Sequence, residues 1–227
     1  RAKLPEKWQM QWRDVSFWAK ITPTKHTGVF PEQAVEWQLL HECIVAAKAR
    51  QRAVKVLNLF AYTGIASLVA AHAGAEVVTV DASRPAMNWF RENQELAGLL
   101  DRPVRMILED VIKFLQREQK RGHTYDIILL DPPAFGNGPH GEKWRFEQQF
   151  PELLRQVLQV LSSEPLLLLI NAYSEKATPE YLEQQFLPAV KQLRAGNTWV
   201  GRLALQSASG NLLSTGTVAY WKANQAE

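Results

Sequence analysis

The sequence predicts an α/β fold in which helices cover both faces of a largely parallel sheet. From residue 54 onward, short apolar segments alternate five times with segments of helical spacing. The apolar segments barely alternate with polar residues, which is typical of strands buried on both faces. The chain then ends in two β-rich segments joined by a short polar link, which favours an antiparallel hairpin. We therefore expect a doubly wound, three-layer α/β/α domain with five parallel strands and a C-terminal hairpin.

The predicted elements follow one another in the order that such a fold requires. Each of the first five strands precedes one helix. The five strand and helix pairs are 54–60 with 64–74, 76–81 with 84–99, 104–108 with 111–122, 125–131 with 147–161, and 165–171 with 178–194. The terminal strands are 198–206 and 214–221, and the link between them reads SASGNLL.

The first 50 residues depart from this repeating pattern and are predicted to form a separate extension. Aromatic side chains crowd the start, and residues 30–50 have the spacing of an amphipathic helix with Pro31 at its first position. We expect a short irregular arm followed by a helix that lies on the sheet. The predicted division is an N-terminal element at residues 1–50 and a main domain at residues 51–227.

The composition excludes several classes of protein. The single cysteine, Cys43, rules out an internal disulfide framework and a cysteine zinc site, and it favours the reducing cytoplasm. No apolar segment has the length of a membrane span, and no cluster of metal ligands is evident. We therefore expect a cytoplasmic protein with no membrane partner and no bound metal. The net charge of +3 is compatible with a nucleic-acid partner without requiring one.

Three successive parallel strands end in residues that suit a nucleoside ligand, at the edge where doubly wound sheets bind ligands. Gly64 opens the helix after the first strand, and free helix amides there suit an anionic group. Asp81 follows the second strand, where it either accepts hydrogen bonds from ribose hydroxyls or caps a helix. Asp110 follows the third strand and either accepts from an adenine amine or caps the next helix. Together, these elements are more specific than any one of them.

The fourth parallel strand ends in the sequence Asp-Pro-Pro-Ala-Phe at residues 131–135. Pro132 and Pro133 fix φ and remove amide donors, so they hold Asp131 rigidly at the edge of the sheet. A rigid acceptor can orient an amine or ring nitrogen for attack, and Phe135 offers a face on which a planar base can stack. The alternative is a rigid strand terminator without a chemical role.

These segments resemble the class I S-adenosylmethionine-dependent methyltransferases, and within them the large-subunit (23S) ribosomal RNA methyltransferase family. The resemblance covers residues 25–175 and implies a Rossmann-like fold. It rests on VLNLFAYTGIASLVAAHAGA (56–75), VTVDASRPAMNWFRENQELAGL (78–99), Asp110-Val111, DPPAFG (131–136) and the preceding element HTGVFPEQ (26–33).

The resemblance implies that S-adenosylmethionine is the cofactor, and it assigns residues to the site. Two of them, Phe30 and Gln33, would close the pocket, which makes the first 50 residues a cofactor-closing element. The cofactor-binding residues would be Phe30, Gln33, Asn58, Phe60, Tyr62, Gly64, Asp81, Ser83, Asp110 and Val111. The catalytic residues that face the acceptor base would be Asp131, Pro132, Pro133 and Phe135.

Two departures from the family pattern bear on the chemistry. Asn58 stands where many class I enzymes carry an acid, so its contact with the cofactor's ammonium group would be weaker. Cytosine-C5 members carry a catalytic cysteine after the fifth strand, whereas this segment reads INAYSEKAT (170–178). Carbon methylation of cytosine needs a thiolate that adds to the ring. A nitrogen acceptor is therefore expected, because its lone pair attacks without covalent help.

The segment after the Asp-Pro-Pro motif indicates the substrate side. Lys143, Trp144 and Arg145 combine cations with an aromatic ring, as phosphate contact and base stacking require. The alternative is a solvated loop with Trp144 in the core. The sequence thus predicts methyl transfer to a base in RNA, most consistent with ribosomal RNA and a nitrogen acceptor. Two alternatives stay open: a methyltransferase for a protein or small molecule, and a non-catalytic RNA-binding scaffold. A nicotinamide oxidoreductase is disfavoured because the GxGxxG pattern is absent.

Overall fold

Eleven strands and six α-helices form the described part of the chain, which the computed structural model covers at residues 5–22, 26–193 and 195–224. The strands are β1 (Lys7–Trp12), β2 (Val15–Lys20), β3 (Lys55–Leu59), β4 (Glu76–Asp81), β5 (Val104–Leu108), β6 (Ile127–Leu130), β7 (Phe135–Asn137), β8 (Lys143–Arg145), β9 (Leu167–Ala172), β10 (Gly196–Gln206) and β11 (Leu212–Ala223). The helices are α1 (Ala34–Ala49), α2 (Ile65–His72), α3 (Arg84–Leu96), α4 (Val111–Arg121), α5 (Phe146–Gln159) and α6 (Pro179–Val190), and a 3-10 turn at Pro31–Gln33 leads into α1.

Seven of these strands form one sheet in the order β10-β11-β9-β6-β3-β4-β5. The five from β9 to β5 run parallel, β11 is antiparallel to β9, and β10 is antiparallel to β11. The predicted doubly wound fold with a C-terminal hairpin is thereby confirmed. The strands of this sheet and the helices between them agree with the prediction in order and type, whereas β7 and β8 were not predicted. The predicted end of the last helix at residue 194 lies outside the described residues.

Helices on both faces of the sheet divide the core into two layers. The layer with α1, α2 and α3 includes Val56 of β3, and the layer with α4, α5 and α6 includes its neighbour Leu57. Both side chains are fully buried, as expected for a central parallel strand. Burial of each such side chain stabilises the fold by about 1.5–3 kcal/mol. The two core layers therefore hold the sheet, and with it the ends of its strands, in a defined position.

The N-terminal segment corrects one prediction, because it is a β-hairpin rather than an irregular arm. β1 and β2 pair antiparallel along their whole length. Val15 and Phe17 of β2 are buried, and the ring of Phe17 meets that of Trp37 in α1 at a centroid distance of 6.3 Å. The segment VSFWAK alternates between buried and half-buried side chains. This period of two was the sequence signal for a strand.

Hydrogen bonds tie this hairpin to the main domain. The backbone N–H of Trp18 donates to the side-chain oxygen of Asn93 in α3 at 2.8 Å, and the indole of Trp89 donates to the Trp18 carbonyl at 3.0 Å. Asn93 also donates its amide to the carbonyl of Thr63, in the loop after β3, at 3.0 Å. One buried side chain therefore connects the N-terminal hairpin to a loop at the carboxyl edge of the sheet.

Candidate active site

The carboxyl ends of β6, β3, β4 and β5 lie side by side at one edge of the sheet. Backbone hydrogen bonds join the segments that follow these strands. The N–H of Asp131 donates to the carbonyl of Leu59 at 3.3 Å, and that of Glu109 donates to the carbonyl of Asp81 at 3.1 Å. The predicted strand-end residues therefore share one rim, which is the arrangement that a common binding site requires.

The loop after β3 follows a left-handed path without a run of glycines. Phe60 and Tyr62 have φ angles of 57° and 51°, a conformation that costs a non-glycine residue about 1–2 kcal/mol. Packing of their rings compensates for this cost. The centroid of Phe60 lies 5.0 Å from that of Trp144, and the centroid of Tyr62 lies 5.9 Å from that of Phe30. Aromatic packing thus holds a tight turn where related nucleotide-binding loops use glycine.

Gly64 and Asn58 fix the ends of this loop. Gly64 is the N-cap of α2 with a φ of 75°, and a Cβ there would lie 2.3 Å from the buried ring of Phe90. Asn58 is buried and donates its amide to the hydroxyl of Ser67 in α2 at 2.9 Å. The Asn58 amide group therefore serves to join β3 to α2.

Asp81 lies at the end of β4 and is oriented by two backbone donors. The N–H groups of Tyr62 and Ser83 donate to its two carboxylate oxygens, each at 2.7 Å. Burial raises the pKa of Asp81, while these hydrogen bonds lower it. Ser83 caps α3 by accepting from the N–H of Ala86 at 3.3 Å, so the alternative interpretation of Asp81 as the helix cap is wrong. Each carboxylate oxygen of Asp81 keeps a second lone pair for a hydroxyl donor.

Asp110 and Val111 lie beside Asp81 on the same rim. Asp110 caps α4 by accepting from the N–H of Lys113 at 3.0 Å, as the alternative interpretation expected. The side chain of Val111 is buried in the core, so this residue can offer only backbone groups to a ligand. The adenine contacts assigned to this pair therefore reduce to the carboxylate of Asp110 and the backbone at the start of α4.

Asp131 lies where three parts of the chain meet. The side-chain amide of Gln33 donates to Oδ2 of Asp131 at 2.9 Å and to the hydroxyl oxygen of Tyr173 at 3.1 Å. The ring of Phe30 packs against that of Tyr173, with centroids 5.4 Å apart. Of the predicted pocket-closing residues, Gln33 thus contacts the predicted catalytic loop, and Phe30 packs on Tyr173 beside it. Tyr173, in the segment after β9, was not predicted, because no local pattern indicates its contact with Gln33.

The segment after the two prolines folds into a small β-ribbon of β7 and β8, in which Phe135 lies opposite Arg145. Side chains alternate between the two faces of a ribbon, so Phe135, Lys143 and Arg145 share one face and point to solvent. The ring of Phe135 is 80% exposed. Within the part of the chain that the structure describes, neither Lys143 nor Arg145 forms an ion pair. An exposed aromatic ring therefore stands beside two available cations.

Of the three residues predicted to contact RNA, Trp144 instead has the core position that the alternative interpretation gave it. It lies on the opposite face of the ribbon, is 6% exposed, and packs in the core beside Phe60. Its indole N–H donates to the carbonyl of Pro133 at 2.6 Å, so it anchors the Asp-Pro-Pro loop from below. Pro132 is buried, whereas the Pro133 ring is exposed. Trp144 is thus placed to hold the loop, and its buried ring is not available for stacking on RNA.

A cleft opens beside Asp131 and extends between α1 and the sheet. Glu36 and Asn171 line it, and both are buried. The amide of Asn171 donates to Oε2 of Glu36 at 2.7 Å, whereas Oε1 of Glu36 and Oδ1 of Asn171 have no hydrogen-bond partner. Neither residue was predicted. The signal was Glu36 itself, an acid on the apolar stripe that Leu40, Ile44 and Ala47 continue along α1.

The carboxyl groups of Glu32, Glu36 and Asp131 make this cleft acidic. Burial is the main cause that raises the pKa of Glu36 to about 8 and that of Asp131 to about 6, and the nearby Glu32 carboxylate raises both further. Among the described residues, no lysine or arginine forms an ion pair with these three acids. Carboxylates crowded in this way favour a positively charged ligand.

Cys43 lies away from this constellation. It is buried in α1, and burial raises the pKa of its thiol to about 11. It borders a second cleft together with Arg52 and Lys222. A thiol in this state is a poor nucleophile.

Comparisons with known proteins bear on this site. A family model described as S-adenosylmethionine-dependent methyltransferase matches residues 3–194. Among curated proteins, ribosomal RNA large subunit methyltransferase K/L of Shewanella frigidimarina is 34% identical over 157 residues. That alignment covers 68% of this chain and 21% of the relative, so this chain spans about a fifth of its length.

Solved structures agree with the family match. The SAM-dependent methyltransferase from Agrobacterium tumefaciens has a TM-score of 0.94 and 43% sequence identity, covering 99% of this chain and 72% of that one. The O-methyltransferase from Bacillus cereus, crystallised with SAH, has a TM-score of 0.56 and 16% identity, covering 86% of this chain and 82% of that one. At that identity, the second likeness shows the fold alone.

Proposed function

Because the chain belongs to the S-adenosylmethionine-dependent methyltransferases, we propose that it transfers the cofactor's methyl group to a nitrogen of a base in ribosomal RNA. The observation that carries this proposal is Asp131, held by Gln33 at the rim of the sheet and followed by the exposed ring of Phe135. The ribosomal substrate is supported by the relative that is named as a ribosomal RNA methyltransferase.

The rim and the cleft fit the cofactor's two halves. We assign the ribose to Asp81, and the adenine to Asp110 and the backbone at Val111. The methionine half then lies in the acidic cleft, among acceptors that no cation of the described chain neutralises. Bound there, the cofactor supplies an electrophilic methyl group on a positively charged sulfur. The N-terminal element closes this half through Phe30 and Gln33, as the sequence predicts.

On the acceptor side, Asp131 orients the nucleophile. Its carboxylate accepts a hydrogen bond from the acceptor nitrogen, which points the nitrogen lone pair at the methyl group. As the new N–C bond forms, the bond between methyl and sulfur breaks and its electrons stay on sulfur. The proton that the nitrogen loses passes to Asp131 or to water. A pKa of about 6 leaves Asp131 mostly ionised at neutral pH, so it is ready to accept.

The RNA side is formed by the exposed face of the ribbon. Phe135 stacks on the target base, and Lys143 and Arg145 contact phosphates. Helix α4 also carries cations, but it contributes less to RNA binding. Its Lys113, Arg117 and Arg121 form ion pairs with Glu142, Glu109 and Glu118, respectively.

The cytoplasm is the proposed location, because the single buried cysteine fits a reducing compartment. Among the described residues, no helix combines the length and apolar character needed to cross a bilayer.

The direct test is methylation of isolated RNA. The chain is incubated with methyl-labelled cofactor and ribosomal RNA from a strain that lacks the protein, and the nucleosides are separated by mass spectrometry. We expect label on one base, at a nitrogen. Label on a protein or small molecule instead would contradict the RNA substrate. A chain that binds neither the cofactor nor its demethylated product would contradict the enzymatic function and favour a scaffold.

Asp81→Ala should weaken binding of the demethylated cofactor by about 10- to 100-fold, because two hydrogen bonds between ribose and a charged group are lost. Titration calorimetry measures this affinity. Asp81→Asn is the matched control, since it keeps one acceptor oxygen and should lose less. Equal affinities for all three proteins would remove the ribose assignment.

Phe135→Ala should lower turnover on RNA by about 10-fold or more, because stacking on one base contributes about 1–3 kcal/mol. Cofactor affinity should be unchanged, since the ring projects away from the core. Phe135→Tyr preserves the aromatic face and should retain most activity. Full turnover by the alanine variant under saturating and limiting RNA would refute the stacking role.

A further inference from the structure

We propose that Glu36 and Asn171 form the receptor for the α-ammonium group of the cofactor's methionine half, supplying the charge that Asn58 lacks. This inference rests on the proposed function and adds two residues to it. Oε1 of Glu36 and Oδ1 of Asn171 are two of only three buried side-chain oxygens without a partner among the described residues. Buried polar atoms are rarely left so, and an exception calls for a ligand or a water.

The chemistry of the two oxygens selects a donor. Both are acceptors when Glu36 is ionised, and Glu36 and Asn171 are nine-tenths or more buried. A group that satisfies both must therefore bring N–H or O–H bonds, and a positive charge would also neutralise the carboxylate. An ammonium group has three donors and a full charge, so it matches this pair. The methionine carboxylate would be repelled by Glu36 and belongs elsewhere in the site.

Strand β3 does not supply the acid that contacts the ammonium group in many class I enzymes. Asn58 is uncharged, and its amide is already donated to Ser67. Within the described residues, the groups that face Glu36 are Asn171 from β9, Asp131 after β6, Glu32 from the 3-10 turn and the phenol of Tyr173. None of them is a cation. The cleft thus holds the charge that the ammonium needs on the opposite wall from Asn58.

The position of Glu36 links this receptor to the reacting centre. Glu36 lies one helical turn after Gln33, the residue that holds Asp131. Glu36, Asn171 and Asp131 line the same cleft. An ammonium group bound by the pair would place the methionine chain beside the acceptor side of the site. The receptor therefore positions the methyl donor and does not touch the reacting atoms.

The test compares two ligands that differ only in this group: S-adenosylhomocysteine and its analogue without the α-amino group. Titration calorimetry gives the affinity of each for the wild-type chain, Glu36→Gln and Glu42→Gln. Glu42→Gln is the matched control, because Glu42 is an exposed acid on the same helix. We expect Glu36→Gln to lose about 10- to 100-fold for the natural ligand and less than about 2-fold for the analogue. Glu42→Gln should bind both ligands as the wild type does.

Other outcomes separate the possible failures. Equal losses of both ligands in Glu36→Gln would mean a structural role, and no loss would mean that the pair holds only a buried water; either result overturns the inference. Failure of the wild-type chain to bind the natural ligand would refute the proposed function instead.

A second measurement uses the wild-type chain alone and so does not depend on how a variant folds. At pH 7, binding of the natural ligand should release a proton from Glu36, seen as a dependence of the calorimetric heat on the buffer's ionisation enthalpy. The analogue should release less. The same proton release with both ligands would contradict the assignment.

Discussion

Asp131→Asn should lower the turnover number by about 10²- to 10³-fold while leaving cofactor affinity within a few-fold of the wild-type value. The asparagine keeps an oxygen that can accept from Gln33, so the hydrogen bond seen in the structure is preserved. What it removes is the charge that orients the acceptor nitrogen and takes its proton. Single-turnover rates with saturating cofactor and RNA measure the effect. Asp101→Asn, at an exposed acid, is the control and should be fully active.

The pH profile distinguishes this role from a structural one. Burial raises the pKa of Asp131 to about 6, and the ionised form is the acceptor. The wild-type rate should therefore rise as pH increases through about 6 and then level off. The asparagine variant has no such group and should lack this step. An unchanged step in the variant, or a rate close to that of the wild type, would refute the assignment of Asp131 as proton acceptor.

The sequence was sufficient for the main fold and for the rim of the site, because both depend on local patterns. Buried parallel strands and amphipathic helices have distinct periods, and in a parallel sheet every strand ends at the same edge. The sequence alone therefore predicts that Gly64, Asp81, Asp110 and Asp131 lie at one edge of the sheet. Asp-Pro-Pro was informative because proline restricts the backbone whatever surrounds it.

The residues that escaped prediction depend on tertiary contacts. Asn171 and Tyr173 act with Glu36 and Gln33, which are more than 130 residues away in the chain. No local pattern reports such a pairing. For Trp144 the sequence left an RNA contact and a core position open, because the pairing of β7 with β8 decides which side chains face the core. Strands of three residues carry too few alternations to show this in the sequence.

Glu36→Gln should make the ligand-free chain more stable, by about 3–4 kcal/mol at pH 8 and by less than about 1 kcal/mol at pH 5. The pKa of Glu36 is raised from 4.5 to about 8 in the folded chain, chiefly by burial. Between these values the unfolded chain loses a proton that the folded chain retains, so wild-type stability falls as pH rises. The penalty is absent below pH 4.5 and complete above about 8. Glutamine does not titrate, so it avoids the penalty.

Urea unfolding at the two pH values measures this difference, with Glu42→Gln as the control that should change little at either pH. Asp131 titrates in both proteins, so its contribution largely cancels in the comparison. Glutamine also keeps an oxygen to accept from Asn171, which leaves the hydrogen bond of the pair intact. A variant that is less stable than the wild type at pH 8 would mean that the carboxylate is part of the structural framework.

Ligand affinity and stability of Glu36→Gln, taken together, distinguish a ligand-binding role of Glu36 from a purely structural one. A residue that only supports the fold should lose stability and binding together when it is replaced. If Glu36 instead binds a cationic ligand, its replacement should make the free chain more stable and weaken the binding of that ligand alone. The reason is that the buried carboxylate destabilises the free chain until a cation neutralises it. We expect the second pattern, since the Glu36 carboxylate is buried, faces other acids, and leaves one oxygen unpaired. In the free chain the ionised form of Glu36 has no cation beside it, so an ammonium ligand would stabilise that form and displace its proton.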